Sequence, residues 1–382
     1  MMNKLIFKIL DKTLKKKSRG LHDPLFTGKE KKYLYDCIKT GYVSSVGKFV
    51  IKFENKIKKF TKTKFAVATN SGTSALHLVL NYFKAGLNDE ILLPSLTYVA
   101  TINSVLYCNA HPNFVDVSQN TLGVCPKKLE IYLKKISKKK KNYFINKKTG
   151  KRLKALIVVH LYGMASEIIK IKKVCNKYKI ILIEDAAEAL GSFYKKRHLG
   201  SFGDAGVLSF NGNKTITTGS GGMIITNNKK LATETLHLST HAKKKGYNDH
   251  IHNKVGFNYR MSNLSAAVGC AQIEKIKSIL SAKRKNFILY KKAFSRQNVI
   301  SIFKEPPNTK SNYWLITGML KDAKNKKKLL IYLRERGFIC RSIWRPLHTL
   351  SIFNKFQKDN MDKTDEIFSK SINFPSSPSI SY

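Results

Sequence analysis

Between residues 64 and 226 short apolar runs alternate with helical patterns, and this alternation restricts the fold more than any other feature. The runs are KFAVAT (64–69), EILLP (90–94), HPNFVDV (111–117), KALIVVH (154–160) and KIILIED (179–185), with helices expected after Thr73 and from about Tyr98 to Cys108. Near-continuous apolar strands belong to a parallel sheet covered on both faces. The expected class is therefore α/β, and ligands in such sheets lie beyond the carboxyl ends of the strands. The residues closing each run are the candidates: Ser71–Ser74, Ser95–Tyr98, His160, Asp185 and Ser209.

The 382 residues suffice for more than one domain. Residues 134–153 read as a lysine-rich surface hairpin inserted into the large domain, with a turn at Thr149 and Gly150. EPPNTK (305–310) marks a loop into a smaller C-terminal unit of mixed strands and helices. The expected organisation is a basic arm over 1–20, a large domain over 21–295 and a small domain over 296–382. The arm lacks the apolar length and small-residue cleavage site of a signal peptide; it is expected to be disordered or loosely docked, with a short basic amphipathic helix resting on a membrane surface as the alternative.

The formal charge of +47 invites a nucleic-acid reading. Against it, only ten of the 71 basic residues are arginine, and the lysines spread along the whole chain. A solvated lysine surface without a specific nucleic-acid partner is the expectation, leaving a field that steers small anions. Six dispersed cysteines without a C-x-x-C pair suggest reduced thiols in a cytoplasmic compartment, and no metal centre is expected. The four histidines of HLSTHAKKKGYNDHIHN (237–253) lack the spacing and companions of a zinc site. Trp314 and Trp344 read as core or interface aromatics.

Three segments carry the chemistry. TNSGTSALHLVL (69–80) places a hydroxyl- and glycine-rich turn before a helix, either an anion cradle or an ordinary N-cap. IEDAAEALGS (183–192) ends an apolar strand in two carboxylates, which need cationic partners if buried. SFNGNKTITTGSGG (209–222) isolates Lys214 among glycines and hydroxyls; its spacing is not that of a P-loop, and an enclosed lysine suits a Schiff-base role. In this order the three match the phosphate, ring nitrogen and aldehyde of pyridoxal 5'-phosphate.

NSGTSALHL, PSLTYVAT, VHLYG, EDAAEALGS, SFNGNKTITTG, GFNYRMSN and RPLH together resemble the signature segments of the DegT/DnrJ/EryC1/StrS sugar aminotransferases, from about residue 22 to the end. GYVSSVGKFV, NKKTGKR, SFNGNK and GCAQIEKI are most similar to the LegC-type branch. The resemblance implies a pyridoxal-phosphate-dependent transferase of fold type I, with a mostly parallel seven-stranded sheet between helices and a smaller α+β C-terminal domain. It implies Lys214 as the covalent anchor, Asp185 opposite the ring nitrogen, and Gly72, Thr73, Ser74 and Ser209 about the phosphate. It implies Tyr98 on the cofactor face, Glu188 near the phenolic oxygen, and Asn258 reaching the neighbouring subunit's phosphate in a homodimer. His160, as a further catalytic group, and Ser44, Ser45, Arg260 and His348 would line the substrate side. Ser220 stands where the family usually has Glu or Gly. The implied reaction is amination of a nucleotide-linked 4-keto-6-deoxy-2-acetamidohexose with L-glutamate, yielding 2-oxoglutarate. A GDP-perosamine-type product is the alternative, as is a non-enzymatic regulator on the same fold. Family dehydratases carry histidine in place of the Schiff-base lysine, so Lys214 favours transamination.

Overall fold

Alternation within each strand builds the centre of the molecule. In the computed structural model, which describes residues 2–14, 19–244, 246, 250–295 and 298–382, a nine-stranded sheet has a two-stranded hairpin on its side and a main path of seven strands. They are β1 (Phe65–Thr69), β2 (Asp89–Pro94), β3 (His111–Val115), β4 (Arg152–Val159), β5 (Ile181–Asp185), β6 (Ala205–Ser209) and β7 (Gly222–Thr226). Their order is β1-β7-β6-β5-β4-β2-β3. All neighbours are parallel except β7, which runs antiparallel to both β1 and β6. Successive side chains point to opposite faces. Leu92, Leu156, Leu182 and Leu208 therefore enter one buried cluster, while Ile91, Ile157, Ile183 and Val207 enter the other. Both faces are covered, as the unbroken apolar runs require.

The expected hairpin is present: Ser137–Lys140 pairs antiparallel with Tyr143–Asn146. It is shorter than expected, because residues up to Ile136 close a helix (Pro126–Ile136) and β4 begins at Arg152. Its base is tied to the sheet by buried Glu90, whose carboxylate accepts 2.9 Å bonds from the Asn113 and Asn146 amides.

A four-stranded antiparallel sheet forms the C-terminal unit, in the order Ile300–Ile302, Ile316–Leu320, Ser371–Phe374, Arg341–Ser342. The expectation of a loose N-terminal arm is corrected here. Met2–Leu14 is an amphipathic helix packed on Ile276–Phe294 and Lys326–Arg334, with Ile6, Leu10 and Leu14 fully buried among Phe287, Leu333 and Phe338. The arm's remaining residues 15–18 lie outside the described residues, as do 245 and 247–249 of the histidine-bearing loop. Thr309–Lys310, in the loop between the first two strands of the small sheet, pairs with Phe193–Tyr194, which pairs in turn with Arg197–His198 to make a separate three-stranded sheet.

Candidate active site

At the carboxyl ends of the parallel strands lies a cavity of about 430 Å³, large enough for a small cofactor with substrate groups. Its lining includes Gly72, Thr73, Asp185, Glu188, Ser209 and Lys214, all expected site residues.

One wall is the start of the helix Gly72–Tyr82. Ser71 caps it, its hydroxyl accepting the Ser74 N–H at 3.0 Å, and the Ala75 N–H bonds the Ser71 carbonyl. The Gly72 and Thr73 amides remain as the first-turn donors facing the cavity. A Cβ on Gly72 would stand 3.2 Å from Ser209 Cβ, so the missing side chain keeps this cradle open. Ser74 is absent from the lining: its hydroxyl is engaged with Ser71 at 2.9 Å, which makes it part of the cap.

Asp185 closes β5 at the floor. Its carboxylate accepts from the Thr101 hydroxyl (2.9 Å) and the Ala187 N–H (3.2 Å). Burial pushes its carboxyl above the usual range; the two hydrogen bonds, Lys214 and His160 pull the other way without cancelling it. A cation delivered into the cavity would relieve that penalty. Glu188 is similarly raised by burial. It accepts from the Tyr162 N–H (2.7 Å) and Trp344 Nε1 (3.3 Å), and its Oε1 lies 3.6 Å from Lys214 Nζ. Lys214, with a side chain 13% exposed, also rests over the Trp314 ring, 4.0 Å from its centroid. Tyr98, 52% exposed, forms the opposite lip against Trp344, ring centroids 5.1 Å apart.

Several expected substrate-side residues are elsewhere. His160 is fully buried outside the lining, with Nε2 2.9 Å from Glu184 and Nδ1 accepting the Ser166 N–H at 3.3 Å, so both ring nitrogens are used. Arg260 pairs with Glu54 (2.6 Å) and the Ala68 carbonyl (3.0 Å) behind β1. His348 bonds Ser95 (2.7 Å) and faces Asp365 (3.3 Å). Ser44 and Ser45 lie in an exposed loop. Asn258, expected to serve a second copy and not this cavity, is exposed beside Asn70, whose side chain donates to its carbonyl at 3.2 Å. None of these lines the cavity. Conversely Trp314, Trp344, Arg341 and Thr101 line it unforeseen. Both tryptophans are site residues, although both also meet neighbouring apolar groups. Thr101 carried a signal, standing three residues after Tyr98 at the start of the helix Ala100–Tyr107. The other three come from the C-terminal unit, and nothing local marks them.

The arrangement fits pyridoxal 5'-phosphate. An open backbone cradle suits a phosphate, the under-compensated Asp185 suits a protonated ring nitrogen, and Lys214 is an amine lining the same cavity.

The DegT/DnrJ/EryC1/StrS aminotransferase family model matches residues 25–382. The chain is 34% identical over 365 residues to a GDP-perosamine synthase of Escherichia coli O157:H7, covering 94% of each. It is 31% identical over 349 residues to a UDP-4-amino-4,6-dideoxy-N-acetyl-β-L-altrosamine transaminase of Campylobacter jejuni, covering 90% of this chain and 87% of that one. Among solved structures it resembles Helicobacter pylori PseC, an aminotransferase involved in pseudoaminic acid biosynthesis, with TM-score 0.83, 25% identity and 94% of each chain covered.

Proposed function

The chain belongs to the DegT/DnrJ/EryC1/StrS aminotransferase family, and from that premise we propose that it moves the amino group of L-glutamate to C4 of a nucleotide-linked 4-keto-6-deoxy-2-acetamidohexose. At the broader level it is a pyridoxal-phosphate-dependent sugar aminotransferase of nucleotide-sugar biosynthesis. The finer reading rests on the likeness of GYVSSVGKFV, NKKTGKR, SFNGNK and GCAQIEKI to the LegC-type branch; the observation carrying the cofactor chemistry beneath it is the convergence of the Gly72–Thr73 cradle, Asp185 and Lys214 on one cavity.

When bound, the cofactor supplies an aldehyde that captures amines and a ring that accepts the electrons of a deprotonated α-carbon. Gly72, Thr73 and Ser209 would hold its phosphate. Asp185 would keep its ring nitrogen protonated, and Thr101 and Ala187 fix that carboxylate's orientation. Lys214 would anchor the aldehyde and, once displaced, move the proton of the substrate's α-carbon as base and then acid. Glu188 holds the amine on one side and Trp314 on the other. Tyr98 would stack on the cofactor face, with the Trp344 ring 5.1 Å from its own. In this reading Asn258 serves a second copy's phosphate in a homodimer, and the sugar product goes to surface-glycan assembly of the legionaminic acid type.

The 34% relative favours a second reading, a GDP-linked substrate and perosamine-type product. A panel of UDP- and GDP-linked 4-keto sugars, analysed by mass spectrometry for conversion of the ketone to an amine, separates the two. Loss of the cofactor's long-wavelength absorbance on adding glutamate is expected at the outset. If the absorbance persists under every amino donor and no sugar is aminated, the aminotransferase reading fails for this chain.

A further inference from the structure

A lysine that is alternately bound and released needs a defined place to stand when released. We propose that the face of Trp314 is that place: a shelf that positions the freed Lys214 amine for proton movement. The inference rests on Lys214 being the cofactor-anchoring lysine.

The indole is built into the Lys214 loop independently of the lysine's own side chain. Its Nε1–H donates to the Asn213 carbonyl at 2.7 Å, one residue before Lys214. Its backbone N–H donates to Asn312 Oδ1 at 2.9 Å. The Asn312 amide in turn bonds the Glu188 and Leu190 carbonyls (2.9 Å each) and the Thr215 hydroxyl (3.1 Å), on either side of the lysine. The Trp314 carbonyl accepts from the buried Lys283 amine at 3.0 Å. Trp314 is only 1% exposed, and its position is overdetermined.

Against this fixed face Lys214 Nζ lies 4.0 Å from the ring centroid and 3.6 Å from Glu188 Oε1. An indole face attracts an ammonium group through the ring quadrupole, more strongly than phenylalanine or tyrosine does. The carboxylate alone would leave a four-carbon side chain free to swing about one contact; the ring adds the second. Trp314 thus acts through Lys214 and is a positioning residue.

Fluorinated tryptophans test this, because successive fluorines drain the ring's negative face while nearly preserving its shape. Trp314 and Trp344 are the chain's two tryptophans, so the series is run on the holoenzyme and on a Trp344→Phe holoenzyme, isolating Trp314. Rates of absorbance loss under saturating glutamate should fall stepwise across the series, by about three- to thirtyfold in total, the range set by a cation–π contact. Cofactor affinity and thermal midpoint should stay level. The fluorine resonance of Trp314 should move when glutamate frees Lys214. Rates unaffected by fluorination, or a resonance indifferent to glutamate, overturn the shelf. Trp314→Phe, which retains a weaker ring, should keep more of the rate than Trp314→Leu; equal losses in both would also overturn it. Borohydride reduction with peptide mapping separates the two failures, since label on another residue refutes Lys214 as the anchor.

Discussion

Gly72→Ala separates the cofactor cradle from the fold. Gly72 is the first residue of its helix and does not need a left-handed backbone, so alanine fits the chain conformation. Alanine gains about 0.5–1 kcal/mol of helix propensity over glycine. The new methyl would stand 3.2 Å from Ser209 Cβ and 3.5 Å from its Oγ, a crowding that offsets part of that gain. The stability of the cofactor-free protein should therefore change by less than about 1 kcal/mol. Binding is different, because the methyl occupies the approach to the Gly72 and Thr73 amides and the Ser209 hydroxyl. One hydrogen bond to a charged group contributes about 1.5–3 kcal/mol. At 1.4 kcal/mol per tenfold, losing one weakens pyridoxal phosphate binding by about ten- to a hundredfold. Absorbance titration of the cofactor-free variant gives the Kd, and urea unfolding of the same sample gives the stability. An unchanged Kd would refute the cradle. A loss of several kcal/mol in the cofactor-free protein would instead make Gly72 a packing residue.

Asp185→Asn should lower kcat by about a hundredfold or more, since it removes a preorganised charge facing the ring; steady-state rates matching the parent would contradict that role. Leu10→Ala should destabilise by about 2–5 kcal/mol in urea unfolding, because Leu10 is fully buried where its helix packs on Ile276–Phe294 and Lys326–Arg334; an unmoved midpoint would show the N-terminal helix unfolding separately. Burial works to raise the Glu184 carboxyl, but the His160 side chain and the Gly200 and Gly203 amides outweigh it and hold the group below its usual 4.5. That contribution is complete above pH 4.5 and is lost as acid carries the pH down through the lower folded value, so Glu184→Gln should flatten the acid limb of a stability-versus-pH curve. The +47 chain should show kcat/KM for a nucleotide sugar falling with added salt at constant kcat; a flat salt profile would remove electrostatic steering.

What was legible in the sequence is what local spacing determines. The five quoted runs became strands because buried parallel strands must be apolar on both faces, and Asp185, which closes one of them, and Ser209, which closes the further strand Ala205–Ser209, reached the cavity because the sheet's topology puts strand ends there. Lys214 stood out by the absence of neighbouring charge. What escaped was tertiary. Trp314, Arg341 and Trp344 enter across the gap between the two sheets, at sequence separations no period can register. His160 closes a strand as Asp185 does, yet the chain supplies Glu184 and the Ser166 amide to both its nitrogens and withdraws it from the cavity. The N-terminal helix has lysines on its open side, and its apolar stripe has meaning only against Phe287 and Leu333, far along the chain.

Splitting the charge by depth separates structural acids from functional ones. Glu30, Asp89, Glu90, Asp116, Glu184, Asp185 and Glu188 are buried among the described residues, while Lys154 and Lys283 are the buried cations; the lysine excess belongs to the surface. A buried carboxylate is costly until its four lone-pair sites are occupied. Asp116 is met by Lys128, the Val117 and Thr364 amides and the Thr364 hydroxyl, and Glu184 by His160 and the Gly200, Phe202 and Gly203 amides. Asp185, the next residue along the same strand, has two donors and no cation in ion-pair contact among the described residues. Adjacent acids on one buried strand end point to opposite faces of the sheet: the fold satisfies Glu184 from within, while Asp185 lines the cavity with capacity left over. That residual capacity is what a protonated ring nitrogen would fill, and it distinguishes the two carboxylates where their sequence context does not.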